Sequence, residues 1–138
     1  MLDDLPVSEF GFPGALRDRL VAAILSGEKT STTGLHEEYV RTGEALPAVG
    51  QLSRVVDSAG QSVAVIETTE LVVRRVGDVD LEFALEEGEG FETVAQWRAA
   101  HVRFFESPQL AEILGHPPVI VDDDTLVVCE RFRLVETV

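Results

Sequence analysis

The segment Gly27-Glu28-Lys29-Thr30-Ser31-Thr32-Thr33 holds the only lysine of a chain that otherwise uses ten arginines, and four hydroxyl side chains follow it directly. A desolvated lysine can give up its proton, whereas an arginine stays charged at any working pH, so the choice of lysine here carries chemical information. Amide hydrolysis needs three things: an activated nucleophile, a proton shuttle and a group that stabilises the developing oxyanion. A lysine beside hydroxyls could supply part of this set, while the acidic run Glu86-Glu87-Gly88-Glu89 by itself reads as a solvated helix end. A helix end and nearby carboxylates favour the charged ammonium, which would instead make Lys29 a cationic contact for an oxyanion or phosphate. The sequence leaves both roles open. If the hydroxyl run is extended, Ser31 and Thr33 share a side with Lys29, and Thr30 and Thr32 face the other way.

These residues must be positioned by the elements around them. Leu16, Leu20 and Ile24 recur at four-residue spacing in "ALRDRLVAAILSG", with Arg17 and Asp18 off that stripe, which predicts an amphipathic helix ending at Gly27. Residues 34–50 carry mixed signals broken by Gly43 and Pro47 and read as a connecting loop with room for a short turn. Two β-branched runs around "DSAG" predict a hairpin with a long, bent second strand. Helix formers then run into the glycines at 88 and 90. "FETVAQWRAAHVRFF" places Val94, Trp97, Ala100 and Phe104 on one helical face, and a short helix with Ser107 as N-cap and Pro108 in its first turn follows. "PPVIVDDDTLVVCERFRLVET" reads as two strands around an acidic turn. The order helix, hairpin, helices, hairpin predicts an α+β fold with a mostly antiparallel sheet or small barrel.

A chain of 138 residues, 45% of them hydrophobic, is expected to form one folded domain over residues 1–138. No apolar run is long enough to span a membrane and the start is acidic, so a cytoplasmic protein without membrane contact is expected. Cys129 lies in an apolar run and reads as a buried thiol, while His36, His101 and His116 lack metal-ligand spacing. Trp97 and Phe104 read as core, and His101, one helical turn beyond Trp97, as a supporting residue near the site. No metal and no cofactor is expected. With 25 acidic against 11 basic residues and a formal charge of −14, weak binding of generic nucleic acid is expected, because phosphate neutralisation dominates that affinity.

The ordered set "LVAAILSGEKTSTTGLHEEY", "LPAVGQ", "AVIETTELVVRRVGDV", "FALEEGEGFETVAQWRAAHVRFF" and "VVCERFRLVE" resembles bacterial ASCH-domain proteins across residues 10–135. The resemblance implies a PUA-like fold, a small mostly antiparallel β-barrel with flanking helices, and a cleft for a modified nucleoside or a local RNA element. It is similar to the N-acetylcytidine amidohydrolase group, whose catalytic lysine, threonine and glutamate fall on Lys29, Thr32 and Glu87. Thr30, Ser31, Thr33 and Glu86 are then expected to contact the substrate. The expected function is hydrolysis of an N-acylated, cytidine-type nucleoside; the alternatives are a non-catalytic RNA-binding module and a ribonuclease. The chain departs from the pattern at Gln51, where an aspartate is usual, and at Glu28, where basic residues are common.

Overall fold

The structure is a computed structural model in which residues 2–138 are described. Its strands are β1 (Val7–Ser8), β2 (Ser31–Leu35), β3 (Leu52–Val56), β4 (Ser62–Arg75) and β5 (Leu126–Thr137), and its helices are α1 (Ala15–Ser26), α2 (His36–Thr42), α3 (Leu81–Glu86), α4 (Val94–Phe105) and α5 (Pro108–Leu114). The strands form one sheet in the order β1-β3-β4-β5-β2, antiparallel except for the β1–β3 pair. The expected α+β class therefore holds. The expected barrel closure does not appear in the pairing: β1 and β2 are the two edges and do not bond each other. With only two residues, β1 is far below the usual strand length and has no second ladder to offer.

The 3.6 and 2.0 periodicities sort the apolar residues onto two sides of this sheet. On one side α3, α4 and α5 bury Phe83, Trp97, Phe105 and Leu110 against Leu35, Val127 and Cys129. On the other, α1 lays Leu20, Val21 and Ile24 against Phe10, Ile66 and Phe132. Along β5 the odd residues 127 and 129 face the first cluster and Phe132 faces the second, as strand alternation requires. The expected hairpin forms around Asp57, whose Oδ1 accepts the Ala59 and Gln61 amides at 2.9 Å. Its second strand, β4, bends at register shifts between Val65 and Ile66 and between Thr68 and Glu70.

Several boundaries differ from the sequence reading. Residues 36–42 form α2 rather than a loop, closed by Gly43 in the left-handed conformation at φ 74°. A seven-residue helix is too short for its periodicity to stand out between glycines. Only one strand, β5, follows α5: residues 117–125 are irregular, and the acidic turn is neutralised by Arg75 on Asp124 and Arg98 on Asp123. Arg17, placed off the stripe of α1, is buried, with Nη2 donating to the Gly11 carbonyl at 2.7 Å. The capping expectations hold, since Ser107 accepts the Leu110 amide at 3.3 Å and Pro108 opens α5.

Trp97 has no solvent exposure and lies centrally in the α3–α5 cluster. Trp97→Ala removes the largest buried ring and is expected to lower stability by about 3–5 kcal/mol in chemical or thermal denaturation. A variant melting like the wild type would remove Trp97 from the core.

Candidate functional site

The site begins where α1 ends. Gly27 takes φ 85°, its amide returns to the Ile24 carbonyl at 3.1 Å, and the Lys29 amide reaches back to the Ala23 carbonyl at 3.0 Å. This turn points Lys29 under the C-terminal end of α3. There the Glu86 carbonyl accepts the Thr30 amide at 2.8 Å and the Thr30 hydroxyl at 3.4 Å, and the Glu87 carbonyl accepts Lys29 Nζ at 3.3 Å. Gly88 makes this approach feasible. Its φ is +66°, and a Cβ there would sit 2.5 Å from the Glu28 carbonyl oxygen and 2.7 Å from the Lys29 nitrogen.

Lys29 is 2% exposed and Glu87 1%. Nζ lies 3.6 Å from Glu87 Oε1 and 3.5 Å from Glu89 Oε2. The other Glu87 oxygen accepts the Trp97 indole N–H and lies 3.1 Å from His101 Nε2. Trp97 and His101 stand one turn apart on α4 and stack at 4.5 Å between centroids. His101 Nδ1 meets the Trp97 carbonyl at 2.8 Å, and a carbonyl only accepts, so Nδ1 carries a proton. A neutral ring would then aim the Nε2 lone pair at a carboxylate oxygen; an imidazolium removes that repulsion. The electrostatics agree in direction. Burial works to raise Glu87, yet the His101 charge and hydrogen bond, Lys29 and the Trp97 N–H together hold it below the usual carboxylate range. Burial likewise works to lower His101, and Glu87 together with the Trp97 carbonyl overrides it and raises the imidazole.

The remaining expected residues separate around β2. Glu86 turns away from Lys29 and holds Arg131 in a two-pronged bond at 3.0 and 3.0 Å. Ser31 donates to the Phe83 carbonyl at 3.1 Å inside the fold, and Thr33 Oγ1 is sealed without a partner, so both hydroxyls face the helix layer. Thr32 lies directly across from Glu130 on the opposite face, and among the described residues no hydrogen bond joins it to Lys29 or Glu87. The structure thus brings Lys29 and Glu87 together, adds Glu89, His101 and Trp97, and sets Thr32 beside Glu130. The i, i+4 spacing of Trp97 and His101 was the available signal for His101. For Glu130 it was a charged residue on an inward phase of an apolar strand.

Glu87, Glu89 and His101 offer three ligand atoms within 4.8 Å of one another, the usual makings of a cation site, and Lys29 Nζ already stands against both carboxylates. Two cavities lie elsewhere: about 430 Å³ beside Arg74, Phe83 and Arg131, and about 340 Å³ beside His36, Arg41 and Ile120. Neither is lined by Lys29 or Glu87.

Gly88→Ala combines a strained φ with a clash against backbone and is expected to cost about 2 kcal/mol or more, read by thermal melting. Thr33→Val removes an unsatisfied buried hydroxyl without changing shape, so its melting temperature should equal or exceed that of the wild type. His101 carries a raised pKa, so its stabilisation is complete below the unfolded value near 6.5 and is lost as pH rises through the folded one. The melting-temperature gap between wild type and His101→Gln should therefore shrink on going from pH 6 towards pH 10. A gap that widens over that range would reverse the assigned charge.

Comparison with known proteins places the chain in a family. A family model of the ASCH domain matches residues 7–136. The fold is similar to a crystal structure of a protein from Enterococcus faecalis, at 31% identity and TM-score 0.83, covering 96% of this chain and 77% of that one. It is also similar to an ASCH domain from Lactobacillus crispatus, at 31% identity and TM-score 0.77, covering 94% and 80%. An ASCH protein from Zymomonas mobilis shares the fold at 13% identity and TM-score 0.55, covering 96% and 71%. Functionally curated proteins give no significant match. No helix among the described residues is long and apolar enough to cross a membrane. With a match over nearly its whole length and the fold in agreement, the chain belongs to the ASCH-domain family, a family linked to RNA and nucleic-acid binding.

Proposed function

We propose that this ASCH domain hydrolyses the acyl amide of an N-acylated, cytidine-type nucleoside, with Lys29, Thr32 and Glu87 at the reacting bond. The observation that carries the reading is the sealed pairing of the only lysine with Glu87, itself held by Trp97 and His101. A buried ion pair is a poor way to stabilise a fold, since desolvation offsets most of its attraction. A preorganised charge in a water-poor site is, however, what an acyl-transfer transition state needs. Hydrolysis of this amide adds a hydroxyl to the acyl carbon and a proton to the departing exocyclic nitrogen. The carboxylate of the acyl group and the free nucleoside result, with no change of oxidation state.

In this scheme the Lys29 ammonium donates to the carbonyl oxygen as negative charge grows on it. The Glu87–His101 pair, 3.1 Å apart, takes the proton released by the attacking water and returns it to the departing exocyclic nitrogen, and Glu89 borders the same ammonium from a less buried position. Thr32, half-buried and with no hydrogen bond to Lys29 or Glu87, is free to hold the substrate. Charge favours a small substrate over a polynucleotide. A nucleoside brings no phosphate for a chain of −14 to repel.

Single-turnover assays of acylated nucleosides, read by mass spectrometry, test this. Lys29→Arg and Glu87→Gln should each lower hydrolysis by at least about a hundredfold, the share of one acid–base or oxyanion group. Arginine fails because its planar fork cannot take the place of Nζ between two carboxylates in a sealed space. An arginine variant within about threefold of wild type would leave Lys29 as a replaceable positive charge. A random RNA should bind more weakly than micromolar at about 150 mM salt; tighter binding with a steep salt slope would favour the RNA-binding reading instead.

A further inference from the structure

The face of β2 opposite Lys29 carries polar groups that the scheme above leaves mostly unused. Glu130, directly across from Thr32, is 8% exposed, and its Oε2 accepts the Thr68 hydroxyl at 2.7 Å. No salt bridge reaches it among the described residues, which is unusual for a buried carboxyl in a chain rich in arginine. Tyr39, from α2, lies over Gly34: a Cβ on that glycine would meet the ring at 3.3 Å and the hydroxyl oxygen at 3.4 Å. Thr32 and Gly34 are two residues apart on one strand and share a face, so Tyr39, Thr32 and Glu130 converge there. The second Glu130 oxygen and the hydroxyls of Tyr39 and Thr32 take no hydrogen bond among the described residues. None of the three is sealed, since the sealed side-chain atoms without a partner are Arg17 Nε and Thr33 Oγ1.

We infer that Glu130, Tyr39 and Thr32 form a base-reading subsite, in which the free Glu130 oxygen and the two hydroxyls bind the donor-and-acceptor edge of a pyrimidine. The inference rests on the proposed hydrolysis only for the placing of the amide at Lys29. β2 is an edge strand, so its two faces meet at an open rim. A flat ring along that rim reaches Thr32 and Glu130 on one side while its acyl arm reaches Lys29 on the other. The Lys29 charge is felt at Glu130, and that of Glu130 at Tyr39, which places the three groups in one electrostatic neighbourhood. Burial raises Glu130, with the Thr68 bond and Lys29 opposing it less strongly. Recognition by paired hydrogen bonds discriminates strongly, because a ligand lacking the matching edge leaves buried polar groups unpaired.

The test combines calorimetric titration with cytidine, the product of the proposed reaction, and steady-state hydrolysis of N-acetylcytidine. Glu130→Leu should weaken cytidine binding by about tenfold or more, and Tyr39→Phe by about five- to tenfold, with KM rising in step and kcat within about threefold. Glu130→Gln keeps a donor and an acceptor and should stay within about threefold of wild type. Glu87→Gln should show the opposite split, with kcat lost and cytidine affinity kept. Unchanged cytidine affinity in Glu130→Leu and Tyr39→Phe overturns the subsite while leaving the hydrolytic reading intact. A glutamine variant as weak as the leucine one also overturns it, because charge and not edge recognition would then bind the ligand. Cytidine binding that depends on Glu130 without any hydrolysis upholds the subsite and sinks the hydrolytic reading. No binding of either nucleoside by the wild type overturns both. Should Glu130→Leu fail to fold, Tyr39→Phe decides, since it deletes one oxygen and keeps the ring packed on Gly34.

Discussion

A lysine ammonium and a glutamate carboxylate, both nearly without solvent and 3.6 Å apart, set the terms for the rest of this molecule. Each buried charge needs partners held in place, Glu87 and Glu89 for Lys29, Lys29 and His101 for Glu87, so the elements that bring them must be locked together. The left-handed glycine at the end of α1 aims Lys29, and the last turn of α3 supplies Glu87 together with the carbonyls that receive Thr30 and Lys29. Gly88 lets the two backbones touch, while α4 delivers an indole N–H and an imidazole to the far side of the carboxylate. The helix layer on that face of the sheet is thus organised around one ion pair as much as around its apolar contacts.

Much of this framework is written locally and could be read without coordinates. The stripe of α1, the caps of α5, the "DSAG" hairpin and the role of Trp97 as core follow from periodicity and short-range hydrogen bonding. The opposite orientations of Ser31 and Thr32 follow from alternation alone. The choice of Glu87 from three neighbouring glutamates is another matter. It depends on how the chain leaves α3, a tertiary geometry in which Glu86 goes to Arg131 while Glu87 turns inward. Glu89 and Glu130 stayed in the background for the same reason: a polar residue on a helix or strand usually faces water, and only long-range packing shows that these do not. The short strand β1 and the open sheet edge were also beyond a local reading.

Arg131 shows how the helix layer is fastened to the sheet. From β5 it binds Glu86 at the end of α3 and Glu70 on β4, and it covers the ring of Phe83 at 5.3 Å. Its fork thereby ties the acidic end of α3 to the sheet next to the strand that carries Ser31 and Thr32. An acidic chain that spends its arginines in this way keeps few of them for phosphate. Arg75 and Arg98 hold the aspartate turn, Arg133 holds Glu67 and Arg41 holds Glu37.

The chain has a single tryptophan, and its indole N–H is bonded to Glu87 while its ring lies against His101. Indole emission responds to nearby charge, so the colour and yield of the intrinsic fluorescence report the ionisation of this carboxylate–imidazole pair with no other tryptophan to mask it. The fold therefore carries its own optical probe, set within hydrogen-bonding distance of the group whose protonation matters most.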